Sequence, residues 1–147
     1  MTPDVNVLVA ASRTDHPHHV VARGWLEGAV GGADEGAAFT LMPMVLASFL
    51  RLVTSPKIFQ CPTPIADAVE LVDALLASPG VRLATSGPEW PTLRQLCLDR
   101  QLGGNDLPDA WLSAAVVHLG EHLVTFDRDF RKLLVRGRFI LLVPERL

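Results

Sequence analysis

Short apolar runs alternate along the chain with longer stretches in which apolar residues recur every three or four positions. The longer stretches predict five helices, at residues 17–30, 43–54, 64–77, 89–100 and 108–119. The apolar runs at 39–41, 81–84, 122–125 and 139–143 predict strands, 130–134 predicts a short helix, and 5–11 fits either a strand or a buried helical turn. Strands that alternate with helices of a dozen residues are typical of βαβ units. We therefore predict an α/β fold with a parallel sheet covered by helices on both faces.

The same periodicity predicts which side chains face the core. The inward positions are Val69, Val72, Leu75 and Leu76 in the third predicted helix, and Trp90, Leu93, Leu96 and Cys97 in the fourth. The fifth predicted helix is apolar on most faces, so we expect it to be largely buried, with Asn105 or Asp106 as its N-cap. The run at 81–84 is expected to be a buried strand.

Composition limits the class of protein. The chain has 147 residues, of which 49% are hydrophobic and 20% charged, which predicts one globular domain over residues 1–147 and excludes intrinsic disorder. The longest apolar stretch is interrupted by Thr40, Pro43 and Ser48, so no membrane span is expected. Asp4 interrupts the N-terminal segment where a signal peptide would be apolar, which predicts a cytoplasmic protein. Cys61 and Cys97 lack metal-site spacing and are interpreted as reduced, buried thiols.

Basic residues are concentrated near the C-terminus. The net charge is only −3, so the whole molecule would not attract nucleic acid strongly. Five of the thirteen Lys and Arg residues nevertheless lie within eleven positions: Arg128, Arg131, Lys132, Arg136 and Arg138. This cluster could contact phosphate, although from the charge run alone a solvated charged face is the more ordinary interpretation.

Three acidic residues adjoin predicted elements: Asp4 lies directly before the apolar run at 5–11, Asp109 lies at the start of the fifth predicted helix, and Asp127 lies two residues after the predicted strand at 122–125. In open α/β sheets, ligands gather at the carboxyl ends of the strands. If the three carboxylates converge there, they repel one another unless a hard cation neutralises them, and Mg²⁺ or Mn²⁺ fits best. The alternatives are that Asp109 serves only the helix dipole, that Asp127 is an N-cap and that Asp4 is an ordinary surface acid.

Other candidate chemistry is weaker. His16, His18 and His19 have no carboxylate partner at ligand spacing except Asp15 and are interpreted as part of a solvated loop. The chain contains no GxSxG, GxxxxGK[ST] or HExxH motif, and no GxGxxG motif after a strand. Covalent catalysis and nucleotide binding are therefore disfavoured.

Four blocks of the sequence, in order, resemble one known family. Residues 4–8 (DVNVL), 109–115 (DAWLSAA) and 125–130 (TFDRDF) resemble the DxNVL, DAxLAA and TxDxDF blocks of PIN domains. Residues 49–59 (FLRLVTSPKIF) resemble the R-x-V-T-x-P-x-x-F stretch of VapC toxins. The resemblance implies an α/β/α sandwich and a Mg²⁺- or Mn²⁺-dependent endoribonuclease that is the toxin of a type II toxin–antitoxin pair.

The resemblance also implies roles for individual residues. Asp4, Asp109 and Asp127 match the family's acidic metal site, and Asn6 and Thr125 would position water or phosphate beside it. The candidates for contact with RNA phosphates are Arg51, Arg128, Arg131 and Lys132.

The implied partners are an RNA substrate, a small cognate antitoxin and a second copy of the chain in a homodimer. The antitoxin would place its C-terminal segment in an apolar groove near the second and fourth predicted helices. Phe49, Leu52 and Trp90 would line that groove or, alternatively, belong to the core.

The sequence departs from the family pattern in three places. Ser48 stands where the family commonly has Glu. The metal site would therefore have one negative charge fewer, unless Asp106 or Asp129 compensates. Asp106 itself replaces an apolar residue. Only three residues precede Asp4, so we expect either that the first strand is truncated or that the true start of the protein lies upstream, and we expect Asp4 to be held loosely.

Two rival functions remain at this stage. A phosphohydrolase with an aspartyl nucleophile is disfavoured because residues 4–6 lack the second Asp of a DxD motif. A catalytically impaired PIN-like module that only binds RNA or antitoxin is the main alternative, because of Ser48.

Overall fold

The computed structural model describes residues 1–32 and 39–144, which form five strands and six α-helices. The strands are β1 (Thr2–Pro3), β2 (Phe39–Leu41), β3 (Val81–Leu83), β4 (Leu123–Thr125) and β5 (Phe139–Leu141). The helices are α1 (Val5–Ser12), α2 (His19–Gly31), α3 (Pro43–Val53), α4 (Ile65–Ala77), α5 (Trp90–Arg100) and α6 (Leu107–His118). Two 3₁₀ turns lie at Gly104–Asp106 and Arg128–Lys132.

The strands pair in parallel, as the alternation of strands and helices predicts. β1 and β5 flank β4, with Thr2 opposite Leu123 and Leu123 opposite Phe139. β2 pairs in parallel with β3, and the two groups of strands meet where the Thr40 amide donates to the Met1 carbonyl oxygen over 2.8 Å. The spatial order is therefore β3-β2-β1-β4-β5, and the predicted α/β class is confirmed.

The ambiguous run at 5–11 is helical. Asp4 has extended backbone (φ −72°, ψ 161°) and its side chain accepts a hydrogen bond from the Val5 amide, so it is the N-cap of α1. Five of the eight residues of α1 are buried, because this helix packs against α2, α3 and β4. The chain thus leaves β1 and enters α1 at Asp4, which fixes this residue at the carboxyl end of the sheet.

The core positions predicted for two helices need correction. α5 has no buried residue, and Trp90 is 60% exposed, because this helix packs mainly against α6 and leaves its other face open. In α4, Val69 is exposed, and Ala68 is buried together with Leu75. Periodicity identifies an apolar face but does not say whether another element covers it.

Several local predictions also need correction. β3 is an edge strand in which only Val81 is buried. Asp106 is the N-cap of α6, as predicted, but its side chain makes no capping hydrogen bond, because Asp106 ends a 3₁₀ turn and has helical dihedrals (φ −74°, ψ −23°). The short helix predicted at 130–134 is a 3₁₀ turn that begins two residues earlier, at Arg128–Lys132. Cys61, which was expected to be buried, is exposed. No helix in the described segments has the length and apolar character needed to cross a membrane.

Candidate metal centre and adjoining groove

Asp4 is firmly held, contrary to the expectation from its short strand. Its amide donates to the Val124 carbonyl over 2.8 Å, which continues the pairing of β1 with β4. Its Oδ1 accepts from the Val5 amide over 2.6 Å, and its Oδ2 accepts from the Thr125 hydroxyl over 2.7 Å. The side chain is only 5% exposed. Two residues of strand suffice because the helix cap and the strand pairing act on the same residue.

Thr125 connects the polar groups at the carboxyl ends of β1 and β4. Its fully buried hydroxyl donates to Asp4 and accepts hydrogen bonds from Asn6 Nδ2, over 3.1 Å, and from the Asp127 amide, over 3.0 Å. Asn6 Oδ1 in turn accepts from the Phe126 amide over 3.3 Å. The positions of Asp4, Asn6 and Asp127 are therefore coupled through one hydroxyl group.

Asp127 and Asp109 reach the same region from different elements. Asp127 follows β4 in extended conformation, and its Oδ1 accepts from the Asp129 amide over 2.7 Å, so it also caps the second 3₁₀ turn. Asp109 is the third residue of α6 and is half-buried. The carboxylate of Asp129 is exposed and pairs with Lys132 Nζ at 3.2 Å.

The three candidate ligands influence one another electrostatically. Burial raises the pKa of Asp4 to about 6, with repulsion from Asp109 and Asp127 adding to the rise and the hydrogen bonds from Thr125 and Val5 opposing it. Burial also raises the pKa of Asp109, and repulsion from Asp127, Asp106 and Asp129 adds to that rise. No salt bridge within residues 1–32 and 39–144 involves Asp4, Asp109 or Asp127. The repulsion is therefore not relieved by a basic side chain of the described segments.

The carboxylate donors of Asp4, Asp109 and Asp127 suit a hard dication, although they do not form a complete coordination shell by themselves. In the part of the chain that the structure describes, no three His, Cys, Asp or Glu side chains lie close enough to form a metal cage by themselves. The candidate donors are all carboxylate oxygens, and each oxygen of Asp4 accepts one hydrogen bond, which leaves it a second lone pair. Mg²⁺ is typically held in proteins by one or two carboxylates and several waters, so this incomplete oxygen set is compatible with it.

A groove of about 960 Å³ runs beside the carboxylates, between α3, α5 and α6. Asp4 and Asp109 lie in its wall, as do Ser48 and Arg51 of α3, and most of the remaining surface is apolar: Met44, Val45, Trp90, Leu93, Leu107, Pro108, Trp111 and Leu112. The predicted apolar groove is present and Trp90 lines it. Phe49 and Leu52 do not, because Phe49 points into the core, where it is 2% exposed, and Leu52 packs against that core.

One buried acid beside the groove was missed by sequence reasoning. The Glu89 side chain is 3% exposed and accepts from Trp111 Nε1 over 2.7 Å and from the Gly87 amide over 2.8 Å. Its place directly before α5 is an ordinary position for a surface acid, so the sequence carries no signal of its burial. The contact fixes the indole of Trp111 in the groove wall, two residues after Asp109.

The predicted phosphate contacts lie on two sides of the acidic residues. Arg51 lines the groove, whereas Arg128, Arg131 and Lys132 are exposed on the 3₁₀ turn that follows Asp127. Arg100 of α5 supports this turn by donating to the Lys132 carbonyl over 2.7 Å. Asp106 is exposed near the start of α6, close enough to raise the pKa of Asp109.

A family model described as PIN domain matches residues 1–134. The chain belongs to the PIN-domain family. This PIN domain is 42% identical over 130 residues to Ribonuclease VapC25 of Mycobacterium tuberculosis, a match that covers 88% of this chain and 89% of that protein. It is 41% identical over 132 residues to Ribonuclease VapC31 of the same species, with the same coverage. The family resemblance carried by the four sequence blocks is thus confirmed.

The PIN fold is also supported by a solved structure. VapBC2 from Rickettsia felis, bound to a DNA fragment from its promoter, contains a chain that matches with a TM-score of 0.61, 18% identity and 95% coverage of both chains. At that identity the match supports the fold alone. It agrees with a parallel sheet flanked by helices, the arrangement that places the three aspartates at one end of the strands.

Proposed function

We propose that this PIN domain is a metal-dependent endoribonuclease and the toxin of a type II toxin–antitoxin pair. The observation that carries the proposal is the carboxylate of Asp4, whose pKa is raised by burial and further by repulsion from Asp109 and Asp127 at the carboxyl end of the sheet. At neutral pH this carboxyl is ionised at a cost in stability, and a bound cation would offset that cost. The names of the relatives, which are ribonucleases, support RNA as the substrate.

In this proposal Asp4, Asp109 and Asp127 hold a divalent cation, either Mg²⁺ or Mn²⁺. When bound, such a cation lowers the pKa of a coordinated water and offsets negative charge on a scissile phosphodiester. Thr125 holds the Asp4 carboxylate and the Asp127 amide in fixed positions, and Asn6 holds Thr125 and Phe126. Asp106 and Asp129 add negative potential around Asp109.

Basic side chains on both sides of the carboxylates would guide the RNA. We propose that Arg51 contacts the backbone on the groove side and that Arg128, Arg131 and Lys132 contact it beyond Asp127. Unpaired RNA suits this arrangement because its backbone can bend into a cleft. Hydrolysis at the acidic site would leave 5′-phosphate and 3′-hydroxyl ends.

The apolar groove would receive the C-terminal segment of a small antitoxin. The two exposed indoles, Trp90 and Trp111, would be covered by apolar residues of that segment. We also propose a homodimer, one domain over residues 1–147 and a cytoplasmic location. A short reading frame directly upstream is the first place to find the antitoxin. We expect Trp90→Ala to lower the affinity for the antitoxin that this reading frame encodes at least tenfold. Val20→Ala, at an exposed position on α2, should leave that affinity unchanged.

A chelator-controlled cleavage assay tests the proposed activity. Purified wild-type protein, Asp109→Asn and the matched control Asp73→Asn, an exposed acid of α4, are incubated with single-stranded RNA and Mn²⁺, with and without EDTA. We expect cleavage by the wild type and by Asp73→Asn, its loss with EDTA, and its loss in Asp109→Asn. Equal cleavage by wild type and Asp109→Asn would refute the site.

The second candidate function is a module that binds RNA or antitoxin without cutting. Ser48 favours it, because the groove wall beside Asp4 has a hydroxyl in place of a further carboxylate. If wild type and Asp109→Asn both bind RNA and neither cleaves it with Mn²⁺, this function replaces the nuclease.

A further inference from the structure

A short stack of aromatic rings leads from the loop before α2 to the residue that precedes Asp127. The imidazole of His18 stacks on the ring of Phe126, with centroids 4.9 Å apart and planes inclined by 26°. The ring of His16 meets His18 edge-on at 5.5 Å. Phe126 lies between Thr125 and Asp127 in the sequence, so the stack acts on the turn that carries one of the proposed metal ligands.

The backbone of this turn is held by few polar contacts. The Asp127 amide donates to the Thr125 hydroxyl at 3.0 Å, and the Phe126 amide donates to Asn6 Oδ1 at 3.3 Å. The second distance is beyond the usual range for a strong amide hydrogen bond. The Asp127 carboxylate also accepts from the Asp129 amide at 2.7 Å. None of these polar contacts acts on the Phe126 ring, so the packing of that ring supplies a further restraint on the turn.

His18 itself is rigidly mounted. Its amide donates to His16 Nδ1 at 3.1 Å, and its carbonyl accepts from the Ala22 amide at 3.0 Å in the first turn of α2. The neighbouring His19 ring contacts the Ala10 carbonyl at 2.9 Å, which ties the loop to α1. A ring on such a support can hold its stacking partner in place.

Hydrogen bonding by the ring nitrogens does not explain why a histidine occupies position 18. Nδ1 is buried and has no hydrogen-bond partner among the described residues. A buried nitrogen without a partner is destabilising, so a purely structural position would favour phenylalanine or leucine. The interaction that accounts for a ring at this position is the stacking of its face on Phe126.

We propose that His18 is a positioning residue that fixes the Asp127 carboxylate by stacking on Phe126. The inference rests on the proposed role of Asp127 as a metal ligand. His18 does not touch the reacting atoms in this account, and its imidazole takes no part in proton transfer. The proposal adds a residue outside the four sequence blocks to the machinery of the site.

Three variants test the role of the ring. His18→Ala removes the stack, His18→Phe keeps an aromatic face and removes the unpaired nitrogen, and His122→Ala is a control at an exposed histidine. An aromatic pair of this kind corresponds to about a three- to tenfold change in an equilibrium, so we expect His18→Ala to lower kcat and Mn²⁺ affinity by that factor. The KM for RNA should change less than twofold.

His18→Phe should restore kcat and Mn²⁺ affinity to near wild-type values and should melt at the same or a higher temperature. If His18→Phe is as impaired as His18→Ala, the imidazole nitrogens are what matters and the stacking proposal is wrong. If His18→Ala equals the wild type, the proposal is equally wrong. His122→Ala is expected to match the wild type.

Binding of Mn²⁺ alone, measured by calorimetry, and crystal structures of the wild type and His18→Ala keep the test independent of cleavage. If the wild type does not cleave RNA, the proposed function fails, yet displacement of Phe126 and Asp127 in His18→Ala with weaker Mn²⁺ binding would still support the positioning role. An unmoved Asp127 in His18→Ala would overturn it.

Discussion

The Thr125 hydroxyl donates to Asp4 Oδ2 over 2.7 Å, although 121 positions separate the two residues in the sequence. They meet because β1 and β4 are parallel neighbours and both strands end at the same edge of the sheet. The same hydroxyl accepts from Asn6 and from the Asp127 amide, so one oxygen satisfies three groups at the candidate site. Thr125 is consequently the position at which fold stability and site geometry are most closely linked.

Replacing Thr125 with Val should therefore damage both stability and the site. The substitution keeps the shape of the side chain but leaves the buried Asp4 oxygen and the Asp127 amide without their partner. Each such loss costs about 1–3 kcal/mol, so we expect the free energy of unfolding to fall by at least about 2 kcal/mol in urea denaturation. Thr125→Ser keeps the hydroxyl and should lose less than half as much. Equal stability of Thr125→Val and wild type would contradict the network.

Stability should depend on pH through Asp4. Because burial raises the pKa of this carboxyl from 3.8 to about 6, the folded protein binds more protons than the unfolded chain between these values. Stability must then fall as pH rises through this range, by up to about 3 kcal/mol, and stay low above it. Urea denaturation in EDTA at pH 4 to 7.5 measures the effect.

Asp4→Asn isolates the contribution of Asp4 from that of other titrating groups. The stability difference between Asp4→Asn and wild type should grow in favour of the variant between pH 4 and 7. Added Mn²⁺ should stabilise the wild type at pH 7.5 and not the variant. A difference that stays constant with pH would show that Asp4 titrates as an ordinary surface acid.

The sequence predicted the order of helices and strands well, because the local spacing of apolar residues determines that order. The structure places all five helices predicted from periodicity, α2 to α6, within two residues of their predicted bounds. The sequence did not predict that Asp4 is firmly held by hydrogen bonds, and the reason is physical. A strand of two residues is too short to show alternation, and its stability comes from β4, more than a hundred positions away.

Side chains that line the groove were also hard to predict from the sequence. The apolar face of α5 has the period of a core helix, yet it lines the groove, and Trp90 is 60% exposed. Sequence pattern cannot distinguish a face covered by the same chain from a face left open. The His18–Phe126 stack was also missed because it joins a loop to a distant turn, and neither residue has a local pattern that indicates the other.

Introducing a carboxylate at Ser48 should strengthen metal binding. Ser48 lies in the groove wall with Asp4, so Ser48→Glu would add an oxygen ligand and one negative charge near the candidate site. Affinity for hard dications rises with the charge and number of oxygen ligands, and we expect Mn²⁺ to bind about tenfold more tightly. Calorimetry measures the change, and Ser48→Gln is the uncharged control of equal length. The prediction is wrong if Ser48→Gln gains as much as Ser48→Glu.

Glu89 and Trp111 should behave as one energetic unit. Glu89→Ala removes the acceptor of the Trp111 Nε1 hydrogen bond, and Trp111→Phe leaves the buried Glu89 carboxylate with only the Gly87 amide. Each single variant should be destabilised by about 1–3 kcal/mol. The double variant should be less destabilised than the sum of the two, with a coupling of about 1 kcal/mol or more in a double-mutant cycle. The matched cycle of Glu70→Ala, at an exposed acid of α4, with Trp111→Phe should be additive. Additivity in the Glu89 cycle would mean that the hydrogen bond does not fix the indole, and the groove wall at Trp111 would then be free to change shape.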